Sequence, residues 1–542
     1  MPTVKTYCMF CPMQDSFFLA ERPRSECAVW GRKSVLSVEF DPDVTRGLCA
    51  RGNYCQELAV HKDRAFRAKA GEEFPPDAQT ANSLLHSLEA LSPDSVAILL
   101  DGSLTLEETA KAIALAERLG TKFVAPLPSE DMAVAPFKNN ISFEKIANAT
   151  TNLVIGDIFT MSPTITKLIH DASNIGRNNT MVSVDTVRAR TGWFAHPELV
   201  VPVGRVPLLL DAITAAVGGK PIDELPLAEL GISADDFGWA VSAVKSVEGN
   251  GNVIFAPGWH FADPFAVAGA AQRLAEIAGF GFAVLPIATN SRGIYRLLAG
   301  ADCDIAGTYK AIADGKIDGV LALDCDPLEA LPGMKIPDVF GMTGQLMTTG
   351  YHKATHFIPS KFLFEKTGKI LGTEENIIEL AEPVEGPGVR AVGEILDYLF
   401  GGEAPVFGDI VSRASEVAEV GASPVSGSGA PEGGIIAFGN GNVLHHGDGR
   451  YSRRIDFPNL RAKLDIEAVE LPKAMAESLG VAEGDAVEVE SGFGKARLIV
   501  KIAAWLDDGR VLLPMHNPAV RALFDWGKRP ALTPIGVKIK KL

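Results

Sequence analysis

Short apolar runs alternate with helically spaced segments along most of this chain. Residues 95–100 (SVAILL) are apolar, 106–119 carry apolar positions at helical spacing, and 122–125 (KFVA) turn apolar again, which predicts a strand–helix–strand unit. Further strands are expected at 153–156, 181–185 and 199–202, with helices over 165–172 and 208–217. A second series begins at 252–257 and continues through 281–286 and 319–324. Strands this uniformly apolar belong in parallel sheets covered on both faces. Two consecutive α/β modules are therefore expected, 56–250 and 251–402, behind a cysteine-bearing segment, 1–55. Residues 403–434 are rich in Gly, Ala, Ser and Pro and predict a linker. Beyond it, 486–490 (AVEVE) alternates strictly and 496–502 and 510–514 are further strand candidates, which predicts a closing β-rich domain over 435–542.

Bulk properties narrow the function classes. A chain of 542 residues, 47% hydrophobic and 22% charged, can bury several cores. Its net charge of −16 argues against a nucleic-acid partner, since gripping a phosphate backbone requires clustered Lys and Arg. No run of about 18 apolar residues appears, so no direct membrane span is expected. The first residues, 1–7, show neither a twin-arginine pair nor an apolar signal core, which makes the cytoplasm the expected compartment.

Five of the seven cysteines, Cys8, Cys11, Cys27, Cys49 and Cys55, lie near the start of the chain. Such clustering in a large, non-secreted protein favours metal binding over a disulfide framework. Cys8 and Cys11 have the spacing that lets one backbone turn present two thiolates to one centre. Zinc and unliganded thiols remain open on spacing alone. Cys303 and Cys325 read as buried structural thiols.

The N-terminal segment resembles the cluster domain of molybdopterin oxidoreductases, where three close cysteines precede a fourth in a Leu-Cys-x-Lys/Arg-Gly turn. Here that turn is Leu48-Cys49-Ala50-Arg51-Gly52, and His61-Lys62-Asp63-Arg64 resembles the motif that follows it. The place of the third cysteine holds Asp15. A [4Fe-4S] cluster is kept if Asp15 supplies an oxygen or if Cys27 folds back; Cys27 is preferred, and Cys55 is a further choice. Arg51 stands where the resemblance puts a lysine between cluster and pterin; an ordinary surface cation is the alternative.

The resemblance extends along the chain. The turn at Gly156-Asp157 and the stretch Val184-Asp185-Thr186-Val187-Arg188 are similar to strand-end turns that hold the nucleotide of a pterin cofactor. Asp185 would accept from guanine or ribose, and amides near Gly156 would approach phosphate; a plain helix cap is the alternative. Glu365-Lys366-Thr367-Gly368 resembles a further family motif. Residues 444–454, containing His445, His446, Gly447 and Arg450, look like the cofactor loop of the dinucleotide-binding domain, and His516-Asn517 follow the last of these strands as that family expects. The two adjacent histidines should point in opposite directions and not share a metal.

The resemblance implies an α/β multidomain, molybdopterin oxidoreductase-like fold. It has a small N-terminal iron–sulfur domain, two parallel-sheet α/β modules and a C-terminal β-barrel-like domain. Catalytic members hold molybdenum or tungsten through pterin dithiolenes and a protein ligand early in the α/β region. No cysteine occurs between Cys55 and Cys303, which leaves Ser129, Asp131 and Ser142, then Glu130 and Glu144, as hard substitutes. The expected function is thus an iron–sulfur electron-transfer subunit with a degenerate or empty pterin site, working with other redox subunits such as iron–sulfur or flavin proteins. The alternative is a catalytic molybdenum or tungsten enzyme carrying molybdopterin guanine dinucleotide, similar to formate or formylmethanofuran dehydrogenase. No catalytic residue is assigned.

Overall fold

The computed structural model describes residues 3–21, 36–44, 46–245, 249–381, 388–416, 431, 434–455, 468–525 and 534–542. Cys27 lies outside them.

Two largely parallel sheets carry the centre of the molecule. One has five strands in the order Gly281–Val284, Gly251–Phe255, Thr151–Ile155, Thr180–Asp185 and Glu198–Val200. The other has six, in the order Lys69–Ala70, His356–Pro359, Val339–Gly344, Gly319–Leu323, Val96–Asp101 and Val124–Leu127. The central strands Val96–Asp101, Thr151–Ile155, Gly251–Phe255 and Gly319–Leu323 are buried at every residue, as apolar strands covered on both faces must be.

The two sheets are not divided between the stretches 56–250 and 251–402. Val96–Asp101 pairs in parallel with Gly319–Leu323, and Thr151–Ile155 pairs with Gly251–Phe255, so each sheet draws strands from both stretches. Apolar runs mark strands but carry no information on which distant run becomes the neighbour. The stretch 403–434 contains one described helix. Helix Ile410–Ser415 packs its Ile410 and Ala414 side chains inward, and the Ala414 carbonyl accepts from Arg296 Nη1 at 2.9 Å. Residues 417–430 of that stretch lie outside the described residues.

Three antiparallel strands, Thr3–Tyr7, Ser16–Glu21 and Leu36–Phe40, form the N-terminal sheet. At the other end Ile435–Asn440, Arg510–Pro514, Ala468–Leu471, Lys495–Ile502, Ala486–Glu490 and Ile535–Lys541 close a six-stranded barrel.

A buried charge network locks the six-stranded sheet to its helices. Lys366 Nζ donates to Glu108 Oε2 at 2.7 Å and lies 3.6 Å from Asp324 Oδ2. Glu108 itself completes the capping box of helix Leu106–Leu119 with Thr105. Asp324 ends its strand in the left-handed region (φ 59°) and accepts from Thr343 and Ser360 hydroxyls at 3.0 and 2.5 Å. Burial pushes its carboxyl up to about 6 despite Lys366 beside it.

Removing the one cation should leave two buried carboxyls facing each other. Lys366→Met is expected to cost about 3–5 kcal/mol, the range for breaking a buried ion pair from one side. Guanidinium denaturation checks this: Glu108→Gln with Lys366→Met should recover part of the loss, and a Lys366→Met midpoint equal to wild type would refute the account.

Candidate functional site

The C-terminal ends of both sheets, the N-terminal cysteine loop and the 445–454 loop of the barrel domain meet at one junction. The cysteine loop joins strands Thr3–Tyr7 and Ser16–Glu21, and is closed by Cys8 N–H donating to the Asp15 carbonyl at 3.0 Å. Gln14, at φ 48°, ties it to the rest: Nε2 donates to the Thr289 and Leu371 carbonyls at 2.7 and 2.8 Å, and Oε1 accepts from Thr373 N–H at 3.0 Å.

Cys8, Cys11 and Cys55 are buried, and Cys49 is half-buried. Burial, reinforced by the Cys11, Cys49 and Cys55 thiols, drives the Cys8 thiol well up. Burial pushes Cys11 up to about 12, opposed by the Arg51 guanidinium. Asp15 is also buried, but its carboxylate is engaged. Oδ1 accepts from Arg46 Nε and Oδ2 from Thr164 Oγ1 at 2.7 Å, while Arg46 stacks on Phe143 at 3.8 Å. Burial still raises the Asp15 carboxyl above its usual range. Among the described residues no three His, Cys, Asp or Glu side chains converge closely enough to hold a single metal ion.

Arg51 is not a surface cation. Its side chain is 1% exposed, with Nη2 donating to the Met161 carbonyl at 3.0 Å and Nη1 to the His445 carbonyl at 3.4 Å. Its Nε has no hydrogen-bond partner. Arg51 thus connects the cysteine-bearing helix to the barrel loop across a sequence separation of 394 residues.

The adjacent imidazoles of that loop go separate ways. His445 stacks on His516 with centroids 4.4 Å apart, whereas His446 packs edge-on against Phe10 at 5.9 Å. His446 lines a cavity with Met9, Phe10, Asp101, Ile287 and Arg450. Burial and the Arg51 charge hold His446 well below the usual imidazole range, so it is neutral, and its Nε2 has no partner. Gly447 and Gly449 take left-handed φ of 57° and 77°. A Cβ at Gly449 would sit 2.6 Å from the His516 carbonyl, so glycine permits the loop's approach to the last strand's end. Arg450 forms a buried ion pair with Asp101, and its guanidinium lies over Tyr451 at 4.5 Å. Asn517 caps helix Pro518–Arg521 by accepting from Ala519 N–H at 3.0 Å.

The strand-end residues of the five-stranded sheet are engaged with neighbours. Gly156 has φ 87°, and a Cβ there would meet the Ala256 carbonyl at 2.3 Å. Asp157 accepts from the Thr160 and Thr191 hydroxyls at 2.5 and 2.7 Å. Asp185 accepts from Thr186 N–H at 2.7 Å and pairs with His260 Nδ1 at 2.9 Å. Burial pulls the His260 imidazole down, but Asp185 more than offsets this and raises it.

The hard-ligand candidates separate into two places. Ser129, Glu130 and Asp131 are buried just after strand Val124–Leu127, whereas Ser142 caps helix Phe143–Ala147 and Glu144 is exposed. Glu130 Oε1 accepts from Trp259 Nε1 at 2.9 Å and Arg521 Nη2 at 3.0 Å. Asp131 accepts from Ile287 N–H, Ala288 N–H and Ser291 Oγ at 2.6, 2.9 and 2.5 Å, and burial pushes it up to about 7. Asp101, Arg521 and Trp259 were not singled out from the sequence. A carboxylate ending the otherwise apolar strand Val96–Asp101 was a signal for the first; the partners of the other two are brought together only by the fold.

The residues at the junction fit a bound pterin in one respect: the unpartnered buried atoms Arg51 Nε and His446 Nε2 are donors or acceptors awaiting a partner. Residues 436–535 match the family model of the molydopterin dinucleotide binding domain. No curated protein matches the sequence. The acetylene hydratase of Pelobacter acetylenicus has a similar structure over 99% of this chain and 100% of its own, with a TM-score of 0.72 at 13% identity, a likeness of fold. Residues 436–535 are thus similar to a molydopterin dinucleotide binding domain, and the chain as a whole shares the fold of that acetylene hydratase.

Proposed function

We propose that this protein is an iron–sulfur electron-transfer subunit of a larger cytoplasmic oxidoreductase, with a pterin site that does no metal chemistry of its own. The observation that carries this reading is Arg51, a buried cation set between the Cys11 thiol and the His445–His446 loop. When bound, a [4Fe-4S] cluster passes single electrons. The chain's own residues exclude water from it, since Cys8, Cys11 and Cys55 are buried, and Arg51 and Arg46 supply cationic charge close to the cysteine loop. Partners would be other iron–sulfur or flavin subunits. Among the described residues no helix is long and apolar enough to cross a membrane.

The carboxylates beside the junction support the second half of the proposal. Asp101 is paired with Arg450, Glu130 with Arg521 and Trp259, and Asp131 is held by two amides and a hydroxyl. Each would have to abandon those partners to reach a metal. A second reading, a catalytic molybdenum or tungsten enzyme binding a pterin dinucleotide, is favoured by the domain match at 436–535 and by the free His446 Nε2.

Elemental analysis of anaerobically purified protein separates the two. About four irons per chain without stoichiometric molybdenum or tungsten is expected; either metal together with guanine-containing pterin would transfer the assignment to the second reading. Arg51→Met should keep that iron while slowing electron exchange with external carriers.

Asp131 gives a separate check of its structural role. Its folded value, about 7, lies above the ordinary 3.8. The stability it contributes is therefore full below about pH 4 and lost as pH rises through 7, on the order of 4 kcal/mol. The Asp131→Asn variant should lack this slope, so its unfolding midpoint relative to wild type should improve between pH 4 and 7. Parallel pH profiles would contradict the assignment.

A further inference from the structure

We infer that the seam between the barrel and the segments following the five-stranded sheet holds a small site for a protonated oxyanion of the hydrogenphosphate or bicarbonate kind. The inference does not rest on the iron–sulfur reading above. A cavity of about 120 Å³ lies there, room for roughly four water molecules. Glu470 lines it from strand Ala468–Leu471, and Lys501 is its direct neighbour across the barrel on strand Lys495–Ile502. Arg190 reaches the cavity from the other side, at the start of the 3₁₀ turn Arg190–Phe194. Gly441 lets the two sides close up, since a Cβ there would stand 2.8 Å from Thr160 Oγ1.

Glu470 is 6% exposed, and its two oxygens are treated unequally. Oε1 accepts from Arg190 Nη2 at 2.9 Å, Lys501 Nζ at 3.1 Å and Asn440 Nδ2 at 3.5 Å. Among the described residues no donor reaches Oε2. A buried acceptor left unmet is costly, so the site calls for a ligand that brings an O–H or N–H of its own. Arg190 and Lys501 each carry further N–H donors beyond the one given to Oε1. They are two cations against one acidic side chain in the cavity wall, within a chain of net charge −16, and they call for negatively charged acceptors. An oxyanion that keeps a proton meets both demands in one small group: its O–H donates to Glu470 Oε2, and its charged oxygens accept from Arg190 and Lys501. Sulfate has no proton to give at neutral pH, nor has the pyrophosphate bridge of a dinucleotide, so either would set a charged oxygen against Oε2. The cavity is also well below the roughly 300 Å³ at which pockets for larger organic ligands begin.

The test is titration calorimetry of the full chain near neutral pH in phosphate-free buffer, with inorganic phosphate, bicarbonate, sulfate and glycerol 3-phosphate as probes. Far-ultraviolet circular dichroism serves as the folding control. Inorganic phosphate should bind at least about tenfold more tightly than sulfate, the difference one charge-assisted hydrogen bond makes. Bicarbonate should share that preference. Lys501→Gln, at a position one-third exposed, should weaken phosphate binding by about tenfold. Glu470→Gln, which replaces a carboxylate oxygen by an NH2 donor, should erase the preference for phosphate over sulfate, whereas a purely structural role would weaken both anions alike. Should Glu470→Gln fail to fold, the wild-type preference decides alone. Equal binding of phosphate and sulfate would overturn the inference in favour of an unspecific cationic patch. Binding of glycerol 3-phosphate without inorganic phosphate would overturn it in favour of an organic ligand, and no binding of any probe at millimolar concentration would leave Oε2 to water and overturn it as well.

Discussion

Arg450 and Asp101 form a buried ion pair where the six-stranded sheet ends and the barrel domain's loop begins, and the junction is organised around it. Two charges out of water are tolerated only when their geometry is good and their remaining polar atoms are met. Asp101 also accepts from Ser103 N–H at 2.9 Å, and Arg450 lies over Tyr451, whose hydroxyl donates to Gln345 Oε1 at 2.7 Å. The pair therefore fixes how the 445–454 loop enters the molecule. Through that loop it sets His446 against Phe10 and brings the His445 carbonyl to Arg51. Losing either partner would leave a desolvated charge at the point where three parts of the chain meet.

Other acidic residues at the strand ends follow the same rule with different partners. Asp185 is matched by His260, Asp324 by Lys366 with two hydroxyls, and Asp131 by amides. Burial lifts Asp324 to about 6 even with Lys366 beside it. Asp131 has only dipoles, and burial lifts it to about 7. The junction is therefore acidic in composition but largely neutralised from within, unlike a site that presents bare carboxylates to a hard metal.

Much of this was legible along the chain, for physical reasons. Fully buried strands such as Val96–Asp101 and Gly319–Leu323 announce themselves as apolar runs, and the barrel strand Ala486–Glu490 as a strict alternation. The 445–454 loop lies inside the stretch similar to a molydopterin dinucleotide binding domain, and its turn glycines mark it locally. Pairing could not be read: the register that places Gly319 beside Val96 is decided by crossovers, which leave no periodicity.

The position of Arg51 connects these observations to function. Apolar surroundings penalise the charged form of a thiol, as the raised Cys8 and Cys11 thiols illustrate, and the Arg51 guanidinium opposes this at Cys11. A lysine could supply the charge as a single point. The planar guanidinium instead reaches two carbonyls, Met161 and His445, on separate parts of the chain and keeps Nε in reserve. The same cation depresses the neighbouring His446, so one side chain favours thiolate on its cysteine side and neutral imidazole on its cavity side.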